Sequence, residues 1–299
     1  MSASKAMTPP PTQTLRAYVE LTKPRILLLV IFTGLPVMAM ANDGWPGFPF
    51  AAVTLLGIAL AAGAANTLNC FLERDRDLLM ERTSRRPLPA KQVSPRAALI
   101  FALVLGVTST AVLYFVAGSV AAALGVASIL FYVFVYTIWI KPRSAMNAVI
   151  GGAAGAAAPL IADAAVNGHV GAAGWLLFAI VFFWQPPHVW AIALFRKADY
   201  ERAGIPMMPS VVGDQPTRWR MLFYSLALVP VTLAPVLLGL LGWIYLAAAL
   251  PLDAWFVWLA VRVLRERTEE AARSMFHVSL LFLFGLFLAM LLDRIILTY

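Results

Sequence analysis

Long apolar runs separated by short polar loops restrict the fold of this chain more than any other feature. Nine of them approach or exceed the roughly 20 residues that an α-helix needs to cross a bilayer. Apolar residues make up 61% of the chain and charged residues 13%, which excludes a soluble domain with an ordinary polar surface. The period-two alternation of a membrane β-barrel is absent. We therefore predict an all-α, polytopic integral membrane protein with about nine transmembrane helices, over residues 26–41, 50–72, 97–117, 119–140, 148–165, 175–194, 221–240, 243–264 and 275–297.

The ends and loops of the chain predict its organisation and orientation. The first fifteen or so residues are polar and proline-rich, so we expect residues 1–20 to be a disordered tail without a cleaved signal peptide and residues 21–299 to form one transmembrane domain. Lys and Arg concentrate in the N-terminal segment and in the even-numbered loops. The positive-inside rule then places the N-terminus and these loops in the cytoplasm and the C-terminus on the opposite side. This sorting explains the net charge of +8 without a nucleic-acid partner.

A polar motif, NCFLERDRD, closes the second apolar run. Asn69, Glu73 and Asp77 are spaced at i, i+4 and i+8, which places their side chains on one face of a helix. Glu81 is expected to continue this stripe one turn further. Two carboxylates and an amide are hard oxygen ligands, and Mg²⁺ is usually held by one or two carboxylates together with the phosphates of a substrate.

The alternative is a solvated helix end, in which these acids pair with neighbouring arginines at little net gain. Asn66 and Asn69 argue against it because they lie inside the apolar run, where polar side chains tend to face a cavity or a partner. We therefore favour a functional interpretation of the motif. The single cysteine, Cys70, excludes an internal disulfide and a cysteine metal cluster.

A second group of charges follows the sixth apolar run, where Asp199 and Glu201 come just past its predicted cytoplasmic end. Cations accompany the acids on the same side: Lys23 and Arg25 open the first helix, and Lys141 and Arg143 follow the fourth. Acids that hold a metal, combined with several Lys and Arg side chains, suit a diphosphate neutralised from two directions. No glycine-rich P-loop accompanies them, so a nucleotide is not the expected phosphate donor.

The order of these motifs resembles the UbiA superfamily of intramembrane prenyltransferases over nearly the whole chain. The resemblance rests on LTKPRILLLVIFTG, on NxxxExxxD followed by ERTSRRPLP, on YTIWIKPRS with IGGAAGA after it, and on QPPHVWAIAL leading into DYERAGIPMMP. The last pair of motifs points to the heme-modifying branch. The resemblance implies nine helices around a central cavity that opens sideways to lipid, with a Mg²⁺-dependent diphosphate site at its cytoplasmic end.

The implied reaction joins farnesyl diphosphate to a vinyl group of heme B, adds water and releases diphosphate to give heme O. Heme B is then a substrate and not a cofactor. Asn69, Glu73 and Asp77 match the first acidic motif and Asp199 the second, so these four are the expected metal ligands. Two positions depart from the pattern: Glu73 stands where relatives commonly have Asp, and Ala203 stands where many have a further Asp.

The implied chemistry assigns roles to further side chains. Lys141, as a catalytic cation, is expected to stabilise the departing diphosphate, and the remaining cations to bind it. An aromatic face is expected to shield the allyl cation through cation–π attraction, with packing as the alternative role for each ring. His188 is expected either to hydrogen-bond a neighbouring helix or to contact the heme through its iron or a propionate. The expected binding cations are Lys23, Arg85, Arg86 and Arg143, and the candidate rings are Tyr136, Trp139 and Trp184.

Three further acids fall at membrane depth. We expect Asp163 at the outer surface and Asp293 paired with Arg294, whereas the sequence indicates no role for Asp253.

Two other functions stay open. One is a prenyltransferase for an aromatic ring such as 4-hydroxybenzoate, and the other is a polytopic transporter with an ion path through the acids. The heme interpretation adds the bacterial inner membrane as location, and heme A synthase or oxidase assembly factors as further partners.

Overall fold

The computed structural model describes residues 11–40 and 45–297, and these contain helices and turns but no β-strand. The all-α fold predicted from the apolar runs is confirmed. Most helices begin at a proline or directly after a glycine, residues that are common at helix ends and in the turns before them. The helices are α1 (Pro11–Leu21), α2 (Pro24–Ala39), α3 (Phe48–Asp77), α4 (Pro95–Val112), α5 (Ser119–Leu130), α6 (Asn147–Gly155), α7 (Ala157–Asn167), α8 (Ala172–Phe195), α9 (Lys197–Arg202), α10 (Met208–Val212), α11 (Asp214–Leu237), α12 (Trp243–Glu266) and α13 (Glu269–Leu297).

The described part of the chain holds eight segments long and apolar enough to cross a membrane. A ninth is reached when α1 and α2 are taken together, bent by 49° at their junction, since α2 alone has only 16 residues. Three of the eight spans are composite, because α6 and α7 together form one of them and α4 and α5 each continue into a further helical segment. The prediction of about nine membrane helices therefore holds.

The expectation of a disordered tail over residues 1–20 is wrong for its second half. Residues 11–20 belong to α1, while residues 1–10 lie outside the described residues. Ala17 and Leu21 of this helix are buried against Cys70 and Leu88, and Leu15 is exposed. A helix with one apolar side docked on the bundle can form next to a membrane even when its sequence is too polar to span one.

Two segments depart from α-helical hydrogen bonding. Leu113–Ala117 continues α4 and Phe131–Ile140 continues α5, both as π-helix with i→i+5 bonds. The second segment is ten residues long, whereas most π-helical segments are single turns and many of them lie at functional sites. It carries the end of α5 to the polar cluster at the end of α3.

A cavity of about 280 Å³ lies at the centre of the bundle. Helices α2, α3, α5, α6, α7 and α8 line it, mostly with alanine, glycine, valine and isoleucine. Its polar lining comes from a few side chains, including Asn66, Tyr132, Tyr136 and Gln185. A largely apolar cavity with a few polar groups is the usual form of a small-molecule site.

Two buried acids tie helices together away from the acidic motif. Asp163 is 1% exposed near the end of α7, and its carboxylate accepts hydrogen bonds from the backbone N–H of Gly171 (2.6 Å) and Gly174 (3.1 Å). Asp293, also 1% exposed, does the same for Gly242 (2.6 Å) and Tyr245 (2.9 Å). Each carboxylate thus caps the N-terminus of a neighbouring helix, α8 or α12.

Asp253 has a different environment inside the bundle. It is 4% exposed and accepts a 2.6 Å hydrogen bond from the hydroxyl of Thr232 on α11. The backbone carbonyl of Thr232 accepts a further bond from the hydroxyl of Tyr245. These bonds connect α11 to α12, which gives Asp253 a packing role.

Candidate functional site

The acidic stripe lies on the last two turns of α3, as the spacing predicts. Asn69, Glu73 and Asp77 are only 2%, 5% and 4% exposed, so they face the bundle and are not part of a solvated helix end. The helix ends at Asp77, and the chain then turns. The expected continuation to Glu81 is therefore wrong, since this side chain is exposed and lies 3.7 Å from Arg196.

Each polar side chain of the stripe has its own cation. Lys23 donates from Nζ to Oδ1 of Asn69 at 2.8 Å. Lys141 Nζ lies 2.5 and 2.6 Å from the two carboxylate oxygens of Glu73.

A third cation completes this arrangement from the loop that follows α3. One guanidinium nitrogen of Arg86 lies 2.8 and 3.0 Å from the oxygens of Asp77. The sequence predicted both acids and cations here, and the structure brings them together from three separate segments, since Lys23 precedes α2 and Lys141 follows α5.

Charge pairing governs the protonation of the two cations that lie outside the membrane spans. Burial favours the neutral form of Lys141, but its neighbours Tyr136 and Glu73 outweigh that effect and raise its pKa above the ordinary value. Burial likewise opposes the charge of Arg86, whereas the Asp77 carboxylate raises its pKa. Both side chains therefore stay cationic at neutral pH and can face a diphosphate.

The π-helical segment Phe131–Ile140 positions the side chains opposite the stripe. Asn69 donates from Nδ2 to the hydroxyl of Thr137 at 3.1 Å, and Lys141 reaches Glu73 from the segment's end. With i→i+5 bonding, side chains four and five residues apart share a face. Tyr132, Tyr136, Thr137 and Lys141 are therefore presented together to the cavity and the stripe. The sequence analysis did not identify Tyr132 or Thr137, because in an α-helix Tyr132, Tyr136, Thr137 and Lys141 would not all share one face.

Two predicted phosphate-binding arginines lie further out. Arg143 is exposed and donates to the backbone carbonyls of Ile138 (2.8 Å) and Trp139 (2.9 Å), so it caps the end of its own helix. Arg85 is also exposed. Among the described arginines that follow the stripe, Arg86 is the one that contacts it.

The second acidic position, Asp199, is separate from the stripe. It is 5% exposed and pairs with Arg202, while Arg196 lies 3.8 Å from Oδ2. This Oδ2 atom is buried and accepts no hydrogen bond from the described residues. In the described ranges, no three His, Cys, Asp or Glu side chains are grouped closely enough to hold a metal ion.

Within the described residues a set of three carboxylates is thus not preassembled, and the role of Asp199 as a metal ligand stays a prediction. The donors that are present still fit Mg²⁺, because one or two carboxylates with substrate phosphates are its usual ligands. The Asp199 oxygen without a hydrogen-bond donor supports a second contact of this kind, since buried polar atoms normally have a partner.

The substitution at position 203 has a structural reason. Ala203 is 5% exposed and belongs to an apolar cluster with Met80, Tyr200 and Ile205. A carboxylate at this position would be buried among apolar side chains, which is costly. Glu201 is exposed and does not take its place.

The cavity wall next to the stripe is shaped around two polar side chains. A methyl group on Gly151 would strike the Tyr136 ring, and one on Gly155 would strike the Gln185 amide. The Tyr136 ring also lies 5.7 Å from Lys141 Nζ. The IGGAAGA motif thus lets two side chains approach α6 closely. Gln185 was missed by the sequence analysis, although its place inside an apolar run was the same signal that singled out Asn66.

The other candidate rings do not reach the cavity. Trp139 is 60% exposed, and Trp184 is 2% exposed with its indole N–H donated to the carbonyl of Ser279 at 2.7 Å. His188 is stacked between Trp184 and Phe276, and its Nδ1 lies 2.6 Å from the hydroxyl of Ser279. Of its two expected roles, the structure gives His188 the hydrogen bond to a neighbouring helix, α13.

Comparisons with known sequences identify relatives over almost the full chain. Residues 27–290 match the UbiA prenyltransferase family. The protoheme IX farnesyltransferase of Gloeobacter violaceus is 46% identical over 298 residues, which is 99% of this chain and 98% of that protein. The protoheme IX farnesyltransferase of Symbiobacterium thermophilum is 47% identical over 283 residues, covering 94% and 95%.

Solved structures share the fold at low sequence identity. A digeranylgeranylglyceryl phosphate synthase aligns with a TM-score of 0.79 at 16% identity, over 94% of this chain and 99% of that chain. A UbiA homologue from Archaeoglobus fulgidus bound to GPP and Mg²⁺ aligns with a TM-score of 0.64, also at 16% identity, over 92% and 99%.

Proposed function

The chain belongs to the UbiA prenyltransferase family, and we propose that it transfers the farnesyl group of farnesyl diphosphate to a vinyl group of heme B. Water is added in the same reaction and diphosphate is released, so the product is heme O. The observation that carries this proposal is 46% identity over 99% of the chain to a protoheme IX farnesyltransferase. The buried stripe of Asn69, Glu73 and Asp77 supplies the matching chemistry, and its helix α3 lines the cavity through Asn66, one turn before the stripe.

We propose Mg²⁺ as the metal of this reaction, held by Asn69, Glu73 and Asp77, with Asp199 as a second contact to the same diphosphate. The structure of the Archaeoglobus homologue with GPP and Mg²⁺ supports this choice. When bound, the ion supplies positive charge that neutralises the departing diphosphate. The carboxylates now engaged by Lys141 and Arg86 would then exchange those partners for the metal.

The released cations have a second task. Lys141, Arg86 and Lys23 lie next to the stripe and can donate to diphosphate oxygens as negative charge builds on them. Arg85 and Arg143 lie at the edge of the site and are proposed to act at longer range. Lys141 and Arg86 are only partly exposed, and Lys141 lies 5.7 Å from the ring of Tyr136, which lines the cavity, so these charges act more strongly than in water.

The cavity is proposed to hold the farnesyl chain beyond the diphosphate. Its alanine and glycine walls offer contact without polar groups, and Tyr136 stands between these walls and Lys141. The Tyr136 ring can shield the allyl cation by cation–π attraction, worth up to about 2 kcal/mol in a dry site. Exclusion of bulk water also protects this cation from hydrolysis.

The chain is a multi-span membrane protein, and we propose the bacterial inner membrane with the stripe on the cytoplasmic side. The sorting of Lys and Arg among the loops supports this orientation. Residues 21–299 are proposed to work as one domain, with heme A synthase or oxidase assembly factors as further partners. Because Cys70 is the single cysteine, Ser94→Cys and Gly239→Cys in a Cys70→Ala background test the orientation by labelling with a membrane-impermeant thiol reagent.

Neither alternative function gains support. A transporter would need acids gathered along a path, but Asp253 contacts α11 and His188 contacts α13. No observation favours a 4-hydroxybenzoate-type acceptor over heme B. The curated relatives named above carry the heme function.

The deciding experiment incubates the purified protein with heme B, farnesyl diphosphate and Mg²⁺ and identifies the heme product by chromatography and mass spectrometry. We expect a farnesylated hydroxyethyl heme that disappears when a chelator is added or when Asp77→Ala is used. Absence of any farnesylated heme from folded protein would refute the assignment. The same assay with 4-hydroxybenzoate then tests the other acceptor.

A further inference from the structure

The reaction proposed above needs one water molecule inside a site that must exclude bulk water. After the farnesyl carbon has bonded to the terminal vinyl carbon, positive charge rests on the vinyl carbon next to the porphyrin ring. A water oxygen must bond to that carbon and lose a proton before the cation takes another route. Few side chains of the apolar cavity are able to hold such a water molecule.

We propose that Gln185 positions the water that is added to the vinyl group. This inference rests on the proposed function. Gln185 lies on α8 directly before Pro186 and Pro187, inside an apolar membrane span, and its side chain lines the central cavity. It makes no hydrogen bond with any residue in the described part of the chain. An amide at this depth normally has a partner, so a ligand of the cavity is the expected one.

The opposite wall is built to accommodate this amide. A methyl group on Gly152 would lie 3.1 Å from Oε1 of Gln185, which is tighter than ordinary contact. A methyl group on Gly155 would strike Nε2. The two glycines of α6 thus leave room for a polar side chain where alanine and valine would otherwise fill the space.

Partners for a water molecule are present nearby. The hydroxyls of Tyr132 and Tyr136 belong to the same cavity, and neither makes a hydrogen bond within the described residues. A buried water molecule usually has two to four polar partners. The Gln185 amide supplies an acceptor and two donors, so these groups together meet that requirement.

The chemistry of an amide suits this task. The carbonyl oxygen can accept one water O–H and leave an oxygen lone pair of the water free to attack the cation. A carboxylate would itself bond to the cation, and an ammonium group would repel it, whereas a neutral amide does neither. The bonds formed are the farnesyl C1 to vinyl carbon bond and the new carbon–oxygen bond. The bonds broken are the C1–diphosphate bond, the vinyl π bond and one O–H bond of the water, whose proton goes to the departing diphosphate.

The test measures what fraction of the vinyl-derived cation is captured by water and what fraction loses a proton. Without a positioned water, the cation loses a proton from the adjacent CH₂ group and gives an alkene, lighter than the hydroxyethyl product by one water. Gln185→Leu should therefore raise the ratio of alkene to hydroxyethyl product about tenfold, as expected for the loss of a hydrogen bond. Val181→Ala, which changes a buried apolar residue one turn earlier on α8 and outside the cavity lining, should leave that ratio unchanged.

Single-turnover reactions with heme B, farnesyl diphosphate and Mg²⁺ in ¹⁸O-labelled water provide the readout, with Gln185→Asn as the conservative variant that restores part of the hydroxyethyl product. Gly152→Ala, which crowds the amide without removing it, should shift the ratio in the same direction by a smaller amount. If Gln185→Leu fails to bind farnesyl diphosphate and is therefore judged to be misfolded, the product ratio of Gly152→Ala tests the inference in its place.

Three results would overturn the inference. One is an unchanged ratio in the folded variants, which would assign the water to another group such as the departing diphosphate. The second is complete loss of product with normal binding of farnesyl diphosphate, since a water-positioning residue is not needed for the first bond. The third is wild-type product without the ¹⁸O label. Failure of the wild-type protein to farnesylate heme B at all would instead refute the proposed function.

Discussion

Two sets of buried carboxylates in this protein are equally hidden from solvent but have different partners. Glu73 and Asp77 are bound by the side chains of Lys141 and Arg86, whereas Asp163 and Asp293 are bound by backbone N–H groups of neighbouring helices, with the Asn167 amide as an added donor to Asp163. A lysine or arginine side chain can move aside for another ligand. A backbone N–H at a helix start moves only if the helix moves.

The partner of a buried acid therefore tells more about its role than its burial does. Carboxylates opposed by mobile cations are available to a metal and a diphosphate, and they release those cations to the same substrate. Carboxylates opposed by backbone amides are permanently used in holding the fold. Four variants test this distinction, from the largest expected effect to the smallest.

Glu73→Gln should lower the rate of heme farnesylation by about 10²- to 10³-fold, the usual cost of removing a key electrostatic group from an active site. The amide still accepts a hydrogen bond from Lys141, so the thermal unfolding temperature should change little. Product formation under saturating substrates and thermal unfolding in detergent measure the two quantities. If Glu73→Gln were active but unstable, Glu73 would hold the fold as Asp163 and Asp293 do, and the proposed difference between the two sets of carboxylates would be wrong.

Asp163→Ala should do the opposite of Glu73→Gln: it should lower the stability of the protein and leave its activity nearly unchanged. It leaves two backbone N–H groups at the start of α8 without an acceptor, and the free energy of unfolding should fall by roughly 2–4 kcal/mol. Activity per folded molecule should remain close to wild type. Asp293→Ala serves as the matched case at the start of α12. Loss of turnover in well-folded Asp163→Ala protein would contradict this assignment.

Gly151→Ala tests the site in which side-chain cations oppose the carboxylates. It changes the shape of that site and leaves its charges in place. The added methyl group displaces the Tyr136 ring, so the rate should fall by about tenfold through weaker shielding of the cation. Binding of farnesyl diphosphate, measured by titration, should be preserved. Gly106→Ala is the control, because its methyl group would meet only ordinary contacts at 3.8 Å and beyond. Equal losses in both variants would point to general damage of the bundle.

Glu201→Gln should have the smallest effect, within about twofold of wild-type activity, because an exposed charge contributes little. Asp199→Asn provides the comparison at the buried position of the same short helix and should be much slower. The two rates, measured side by side, test whether the second motif works with a single acid. A large effect at Glu201 would instead identify it as a further acid of the second motif.

The sequence predicted the parts of this molecule that depend on local pattern. Apolar run length determines the spans, and the i, i+4, i+8 spacing placed the acidic stripe on one face of α3. It did not predict the partners, because Asp163 and Asp293 owe their roles to helix ends that are distant in sequence. His188 and Trp184 were open to two roles for the same reason, since only the packing of α8 on α13 decides between them. Tyr132 and Thr137 depend on a π-helical register for which the sequence gives no rule.

That register limits how the chain can change. In an α-helix, Tyr132 and Lys141 would lie on opposite sides, since each residue advances the helix by roughly 100°. The wider turn over Phe131–Ile140 brings them to one side, at the cost of poorer backbone geometry. Insertion or deletion of a single residue here would turn Lys141 away from Glu73 without altering any side chain of the site. Length, and not only composition, is therefore under constraint between residues 131 and 141.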